Sequence, residues 1–424
     1  MPPTFLRPLA SALALRRNVS LLLMMLVLVG LGEKLFQRFL PRYLVEVGAG
    51  PLAVGLLGFL ENALGAIYAL PGGILTDRLG HRRSLVLFAG LNLVGFALLT
   101  VQSWPAVLAA VFFCSAWSQF SLPATFSLVA QQLPKGKRVM GLAVQGIVRR
   151  IPMGLGPVIG GTIFTAVGIL AGMRWVVLMA AVFTLLAVGL HARLYAPELV
   201  ATPYKPLHPQ RLWSTFPPEL RRLLVSDILI RFCEQIPNAF VILWVINRMG
   251  RSDLEFGWLT AIEMATAASL YIPVAFWVDR RVQAVEDARD AKGSTPALLP
   301  VTERGPFIFT TFCFFTAFPL LLYFSTGWWP LVIAFVVRGL KEFGEPARKA
   351  TIVDLAAEGL KARTVGFYYF LRDSTVAFAA LLGGFLWKFH PGFTLWTAFA
   401  FGCLGTFVFA AMLRPARRTV PLKD

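Results

Sequence analysis

The stretch "GGILTDRLGHRRSL", residues 72–85, places a charged turn between two long apolar runs. The runs cover residues 51–76 and 84–103, and each can cross about 30 Å of hydrocarbon at a rise of about 1.5 Å per residue. The turn contains residues that suit an exposed loop: Asp77, Arg78, Gly80, Arg82 and Arg83. Because basic residues accumulate in cytoplasmic loops, the stretch predicts two membrane helices joined on the cytoplasmic side.

The composition extends this prediction to the whole chain of 424 residues. Hydrophobic residues make up 57% and charged residues 15%, whereas a soluble domain carries about 25% charged residues. The mean hydropathy is +0.68. Apolar segments recur along the chain, and we predict an all-α membrane protein with about twelve transmembrane helices. The predicted spans are residues 19–43, 51–76, 84–103, 105–131, 139–167, 174–195, 220–247, 254–279, 305–326, 329–354, 361–388 and 393–414.

Membrane topology explains the net charge of +18 without nucleic acid as a partner. With both termini in the cytoplasm, most basic clusters fall on the cytoplasmic side. The apolar run after Arg16 and Arg17 has no small-residue cleavage site behind it, so we interpret it as the first span and not as a removed leader. The expected location is the cell (inner or plasma) membrane, where the chain crosses the lipid bilayer many times as a monomer.

The sequence divides into two similar halves. We predict a six-helix bundle over residues 1–195, a cytoplasmic linker over 196–219 and a second six-helix bundle over 220–424. A shift of about 200 residues aligns segment 48–78 with segment 250–280. The aligned pairs include Glu61 with Glu263, Pro71 with Pro273 and Asp77 with Asp279. Internal repeats of this kind are typical of secondary transporters, whose sites lie between the repeats near mid-membrane.

The charged turn also resembles the signature loop of the major facilitator superfamily, G-x3-D-R-x-G-R-R, between the second and third helices. The residues that carry the resemblance are Gly73, Asp77, Arg78, Gly80, Arg82 and Arg83. The resemblance implies two pseudo-symmetric six-helix bundles that work by alternating access. It also implies that helices 1, 4, 7 and 10 line a central cavity.

A second fragment, "GPVIGG" at residues 156–161, is similar to the end of the family's antiporter motif. It favours antiport, although small residues also permit close helix packing without any role in coupling. The Arg-x-x-Gln-Gly pattern of drug antiporters is missing from the fourth helix, which argues against drug efflux.

Polar residues form stripes on the four helices that the resemblance assigns to the cavity. At 100° per residue, the residues of each stripe share one face. The candidate substrate-cavity residues are Glu33, Lys34, Gln37, Arg38, Ser115, Gln119, Arg231, Glu234, Asn238, Arg338, Lys341, Glu342 and Glu345. Because a charge at the bilayer centre is costly, we expect these residues to face water or one another. The alternative is a set of structural ion pairs without substrate contact. The candidates for proton coupling are Glu33, Glu234 and Glu342.

Two pairs of repeat-related residues lie on helices that face the other half in the superfamily. We predict a gate between the halves in which Glu61 pairs with Arg372 and Glu263 pairs with Arg149. The alternative is that each of these residues pairs within its own half.

The functional prediction is secondary active transport of a small organic or amphipathic solute, by proton-coupled efflux. The alternative is a carrier of organic anions or zwitterions in uptake or exchange, because Arg38, Arg231 and Arg338 could hold a carboxylate or phosphate. A different class would be a membrane receptor or scaffold that transports nothing. The sequence contains no nucleotide-binding loop, metal cluster or nucleophile triad, so we expect no enzyme activity, no metal site and no cofactor.

Overall fold

The computed structural model describes residues 17–115, 117, 119, 138–194, 213–290, 300–356 and 361–413. Within these ranges the chain forms helices and turns without a strand. The helices are α1 (Arg17–Lys34), α2 (Leu40–Glu46), α3 (Pro51–Leu99), α4 (Trp104–Ser115), α5 (Arg138–Val167), α6 (Ile169–Leu194), α7 (Pro218–Asn238), α8 (Asp253–Asp290), α9 (Pro300–Phe324), α10 (Trp328–Leu340), α11 (Glu345–Asp354), α12 (Lys361–Phe389) and α13 (Pro391–Leu413). We call residues 17–194 the first half and 213–413 the second half.

Several helices are long and apolar enough to cross a membrane. Within the described part of the chain five single helices meet this description, and a sixth span forms if α7 and Val241–Arg248, bent by 43°, count as one. The segments Arg83–Leu99 and Trp104–Ser115 are shorter apolar helices. The predicted span at 105–131 runs into residues outside the described ranges.

The predicted turn between the second and third spans lies at Gly80. The backbone of α3 keeps helical torsion angles on both sides of this residue, where φ is 78° and ψ is 160°. A positive φ is strained for residues with a Cβ atom, so a glycine suits this position. The Ser84 hydroxyl donates a hydrogen bond to the Gly80 carbonyl oxygen at 2.6 Å. We call the end of the bundle that carries Gly80 the loop end.

Three predicted spans, at 19–43, 220–247 and 329–354, are interrupted and not continuous. The first breaks between α1 and α2, the second after α7, and the third between α10 and α11. Prolines explain these breaks, because proline has no N–H group and clashes with the preceding turn. Pro41 and Pro346 lie in the first turn of the segment after the break, and Pro237 lies in the last turn before it.

The repeat predicted from the sequence is visible in these irregularities. The first break, at residues 35–39, and the second, at 239–240, are separated by about the same 200 residues as the sequence repeat. Gly48 and Gly250 are repeat mates, and both have a positive φ, of 87° and 66°. Most of the predicted linker, residues 196–212, lies outside the described ranges, and α7 begins at Pro218, two residues before the predicted start of the second bundle.

The halves contact each other most closely at the end opposite Gly80, which we call the closed end. There α5 packs on α8, and α3 packs on α12. A Cβ atom at Gly257 would lie 2.4 Å from the carbonyl oxygen of Pro157, so the two backbones meet at a distance that only glycine permits. Phe39, fully buried, packs on Phe164 of the first half and Phe256 of the second, with ring centroids 4.8 Å and 5.8 Å away.

Candidate functional site

Two neighbouring cavities lie between the halves. The deep cavity, of about 230 Å³, is nearer the closed end, and the loop-side cavity, of about 400 Å³, is nearer the loop end. Both are bordered by Arg38, Met153 and Lys341. The remaining polar lining of the deep cavity is Lys34, Gln37, Glu61, Glu234, Asn238 and Arg338. That of the loop-side cavity is Arg149, Arg150, Glu263, Glu342 and Lys349.

The interrupted helices deliver the polar groups to these cavities. Lys34 ends α1, and Arg38 lies in the short 3₁₀ turn that follows. Asn238 is the last residue of α7, and Lys341 caps the C-terminal end of α10. Irregular backbone at membrane depth is tolerated where it lines a wet cavity, because water can then satisfy its polar groups. The three helix breaks therefore lie around one layer of polar residues.

Glu263 of α8 is the centre of this layer. It is fully buried, and its Oε1 lies 3.2 Å from Lys341 Nζ and 3.4 Å from Arg338 Nε. Its Oε2 lies 3.8 Å from Arg38 Nη2. Arg338 also donates a hydrogen bond to Asn238 Oδ1 at 2.7 Å. One carboxylate is thus shared by three cations, two from its own half and one from the other half.

From Lys341 the charges continue as an alternating series through the second half. Lys341 Nζ lies 2.8 Å from Glu234, and Glu234 lies 2.6 Å from Arg231. Arg231 in turn lies 3.6 Å from Glu345. We call the series Asp227, Arg348, Glu345, Arg231, Glu234, Lys341, Glu263 and Arg338 the charge ladder. The alternation of signs gives each buried charge an opposite neighbour, which a low-dielectric environment requires.

The far end of the charge ladder is the most deeply buried. Arg348 forms an ion pair with Asp227 and lies 2.6 Å from Glu345. The Tyr368 hydroxyl donates to Asp227 Oδ2 at 3.1 Å, and Arg372 Nη1 lies 3.4 Å from the same oxygen. These contacts join α7, α11 and α12, so this end of the ladder stabilises the second half and does not contact either cavity.

Ion pairs also join the two halves. Among the described residues these are Arg38 with Glu263 at 3.8 Å, Arg42 with Asp253, and Arg150 Nη2 with Glu342 at 3.0 Å. Each pair takes its base from the first half and its acid from the second. Such pairs change when two halves move relative to each other, as alternating access requires.

A family model of the Major Facilitator Superfamily matches residues 22–283. The chain belongs to this superfamily.

Solved structures of superfamily transporters share the fold at low sequence identity. A crystal structure of a POT family transporter bound to 5-aminolevulinic acid is 13% identical, with a TM-score of 0.73, and the match covers 94% of this chain and 95% of that chain. A mutant of the nucleoside transporter NupG is 11% identical, with a TM-score of 0.76 and coverage of 94% and 100%. The human organic anion transporter MFSD10 is 18% identical, with a TM-score of 0.59 and coverage of 93% and 99%. Curated proteins give no match to the sequence.

These findings confirm the superfamily and the fold class that the signature turn predicts. The chain is an all-α membrane protein with the architecture of major facilitator transporters, and its activity is membrane transport. Of the signature residues, Gly80 forms the turn, and the side chains of Arg78 and Arg83 are exposed. The side chains of Asp77 and Arg82, and the surroundings of Gly73, lie outside the described part of the structure.

Most of the predicted cavity residues do line the cavities of this major facilitator protein. The residues that border one or both are Lys34, Gln37, Arg38, Glu234, Asn238, Arg338, Lys341 and Glu342. Arg231 and Glu345 lie behind the wall in the charge ladder. Glu33 borders a separate small space of about 30 Å³ beside Arg149 and Trp117. Ser115 is half-buried on α4, and Gln119 packs against Gly65 of α3.

The predicted gate pairs are not formed in the conformation that the structure shows. Glu61 accepts a hydrogen bond from Gln37 Nε2 at 3.4 Å and is not paired with Arg372. Arg372 binds Asp227 and, at 2.8 Å, Asp373. Glu263 binds cations of α10 because Arg338 and Lys341 reach it from within the same half.

Other contacts between the halves have only weak signals in the sequence. The pair of Arg42 and Asp253 was not predicted: Arg42 stands four residues after Arg38, but Asp253 lies outside the stripes, at the start of α8. Asn62 Nδ2 donates to Gln235 Oε1 across the halves at 3.3 Å, and uncharged amides give no signal in a search for charged residues. The fragment at 156–161 acts in packing here: a Cβ atom at Gly160 would lie 1.9 Å from the Leu35 carbonyl oxygen.

Proposed function

We propose that the chain is a secondary active transporter that carries a small organic anion or zwitterion by alternating access. The charge of the cavity walls is the observation that supports this most. Among the described residues, the basic ones in the linings are Lys34, Arg38, Arg149, Arg150, Arg338, Lys341 and Lys349, and the acidic ones are Glu61, Glu234, Glu263 and Glu342. An excess of cations on low-dielectric walls attracts a negative group, and guanidinium groups suit carboxylate or phosphate oxygens.

The walls suit an amphipathic solute less well. Sites for apolar ligands are lined mostly by hydrophobic and aromatic side chains. The apolar residues that border the deep cavity within the described ranges are Pro41, Met153, Pro157 and Ala239, and none of them is aromatic. Transporters with the same fold have been crystallised with 5-aminolevulinic acid and with sulfate. This fold can therefore accommodate such solutes, which favours the anion or zwitterion carrier among the alternatives.

The conformation is consistent with one step of alternating access. The closed end is held by backbone contacts between the halves, as at Gly257. At the other end Lys349 borders the loop-side cavity, and its side chain is 51% exposed. We assign the loop end to the cytoplasm on the distribution of basic residues. On this assignment the structure is the inward-facing state.

Proton coupling is the second part of the proposal. Among Glu33, Glu234 and Glu342, we favour Glu342 as the proton carrier because its partner, Arg150, belongs to the other half. This ion pair must break when the halves separate, so the charged surroundings of Glu342 change during transport. Efflux as the direction of transport remains a prediction from the sequence.

The experiment is a thermal melt of the purified protein in detergent with a panel of solutes. The panel contains 5-aminolevulinic acid, succinate, benzoate and sulfate, with choline as a cation and uridine as a neutral solute, at equal ionic strength. We expect the anions or the zwitterion to raise the melting temperature, because a ligand at about 100 times its Kd stabilises by about 2.7 kcal/mol. Lys341→Gln should abolish the shift. Lys388→Gln, at the end of α12 and away from the cavities, should not.

Stabilisation by choline or uridine alone would refute the charge argument. The proton step is measured separately in proteoliposomes, with the solute that stabilises most. Transport should respond to an imposed pH gradient in the unmodified protein and lose this response in Glu342→Gln. An unchanged response in Glu342→Gln would exclude this residue as the carrier.

A further inference from the structure

We propose that Glu263 is a tethered anion that closes the unloaded transporter, and that the anionic group of the substrate displaces it from Arg38 and Lys341. The displacement rests on the proposed function, since it needs an anionic substrate. The closing role of Glu263 does not. In this scheme the transporter can close in two states only. In the empty state Glu263 occupies the cation site, and in the fully loaded state the substrate anion occupies it.

The contacts of Glu263 leave one of its oxygens weakly held. Oε1 accepts a hydrogen bond from Lys341 and lies close to Arg338. Oε2 is buried, and among the described residues it accepts no hydrogen bond, with Arg38 at 3.8 Å as its neighbouring cation. A buried acceptor without a hydrogen bond is costly. The carboxylate is therefore bound by charge attraction more than by fitted geometry, and a mobile anion can replace it.

The position of the cations makes them accessible to a solute. Arg38 and Lys341 border both cavities, so they stand between the loop-side cavity and the deep one. Glu263 borders the loop-side cavity as well. A solute that enters from the loop end reaches Glu263 and its cations together. The Arg38 side chain is 31% exposed, so it can leave Glu263 for a new partner without losing all contact with water.

The same cations explain why an empty cavity needs an internal anion. Arg38 belongs to the first half, whereas Arg338 and Lys341 belong to the second. Without a negative charge between them, these cations repel across the contact between the halves, and the repulsion is large where water is scarce. Either Glu263 or a substrate anion must be present for the halves to meet at the closed end.

A purely structural ion pair would make a different prediction. If Glu263 only stabilised α8 against α10 within the second half, its removal would lower stability without shifting the two halves apart. A substrate anion would then restore neither the contact nor the stability. The distance between the halves separates the two explanations.

The experiment measures this distance in proteoliposomes by pulsed electron paramagnetic resonance. Spin labels are attached at Val101→Cys in the first half and Trp329→Cys in the second, both near the closed end and 52% and 73% exposed. Cys313 and Cys403, half-buried and exposed, are replaced by alanine, whereas the other cysteines are buried. The full chain is compared with Glu263→Gln, without solute and then with succinate or sulfate as the probe.

The matched control is Glu255→Gln, the same change on the same helix. Glu255 lies in the first turn of α8, where it binds Arg251 at 3.1 Å and the Ser252 amide at 2.8 Å, outside the linings of both cavities. It therefore reports the effect of removing any acid from α8.

We expect the solute-free Glu263→Gln protein to have a longer distance between the labels, with the ratio of open to closed molecules raised about tenfold, which equals about 1.4 kcal/mol. Succinate or sulfate should return the distribution to that of the unmodified protein. The proposal is overturned if Glu263→Gln and Glu255→Gln give the same solute-free distances. It is also overturned if a probe that stabilises the unmodified protein fails to close Glu263→Gln. If no anion stabilises the unmodified protein, the anion assignment fails and displacement with it, whereas the solute-free distances still decide whether Glu263 closes the transporter.

Discussion

Replacing Asp227 with asparagine tests whether the buried end of the charge ladder depends on complete pairing. The Asp227 side chain is 1% exposed and receives Arg348, Arg372 and the Tyr368 hydroxyl. Asparagine keeps the volume and one acceptor oxygen but removes the negative charge. The Arg348 side chain is only 2% exposed, so its guanidinium group has little water to compensate for the lost partner.

The size of the expected loss of stability depends on the partners that Arg348 keeps. Removing one partner of a buried ion pair costs about 3–5 kcal/mol, because the other charge is left uncompensated. Arg348 keeps Glu345, which it contacts through Nε at 3.0 Å and Nη2 at 2.6 Å. We therefore expect the lower end, about 3 kcal/mol of lost stability. This loss would change the unfolding equilibrium by more than about 100-fold.

The assay uses the buried thiols of Cys114 and Cys233 as reporters. A thiol-reactive dye is added to the protein in detergent, and its fluorescence follows their exposure during denaturation. The matched control is Asp373→Asn, which also removes a partner of Arg372 but has a side chain that is 35% exposed. An exposed pair contributes about 0–1 kcal/mol. We attribute the loss of stability to the burial of the ion pair and not to the number of its contacts. Equal denaturation midpoints for Asp227→Asn and Asp373→Asn would refute this explanation.

Three further predictions concern the contact between the halves and its surroundings. In Gly257→Val the new side chain would meet the Pro157 carbonyl oxygen, which lies 2.4 Å from the position of a Cβ atom. Net transport in proteoliposomes should therefore fall at least about tenfold. A normal transport rate would disprove the closed-end contact. Tyr43→Phe removes a buried hydrogen bond of 3.1 Å to a backbone carbonyl and should lower stability by about 1 kcal/mol in the thiol assay, and no change would mean that the bond contributes nothing. Arg150→Gln and Glu342→Gln should be non-additive in a double-mutant cycle of solute affinity by about 0.5 kcal/mol or more, whereas strict additivity would contradict their contact.

The sequence was sufficient for the fold and for much of the cavity wall. Charged residues in apolar segments are costly unless they face water or partners, so the stripes on the first, seventh and tenth spans had to turn inward. Lys34, Arg38 and Lys341 do so. The turn at Gly80 was predictable because a charged segment with a glycine interrupts two apolar runs. Ser115 and Gln119 of the fourth span carried a weaker signal, since uncharged polar residues also pack between helices.

The pairing of the charges could not be predicted in the same way. A pair depends on the depth and rotation of each helix to within a few ångströms, and the sequence gives these only approximately. Long side chains add to the difficulty, because Arg372 can reach several acids from one position. The helix breaks, in contrast, do have a signal in the sequence. Pro41, Pro237 and Pro346 stand beside the three breaks, and a proline inside an apolar span predicts an interruption or a kink.

The distribution of the charges determines which contacts must change when the halves move. The charge ladder lies entirely in the second half, so a rigid movement of that half leaves the ladder intact. The contacts that must change include the ion pairs between the halves described above. In two of these pairs the acid is buried and the base is more exposed. The side chains of the bases, Arg38 and Arg42, are 31% and 23% exposed. A base that can rehydrate loses little when its pair opens.

Glu263 loses little in the same movement, because Arg338 and Lys341 travel with it in the second half. The opening of the closed end therefore leaves no buried charge of the ladder without a partner. The opposite is expected if Arg338 or Lys341 is removed, since Glu263 would then keep one cation of its own half and depend more on Arg38, which favours the closed state. Lys341→Gln should consequently slow the exchange between the two states, in addition to its effect on solute binding. If the Lys341→Gln protein exchanged between the two states at the normal rate, the charge ladder would not move as one rigid unit.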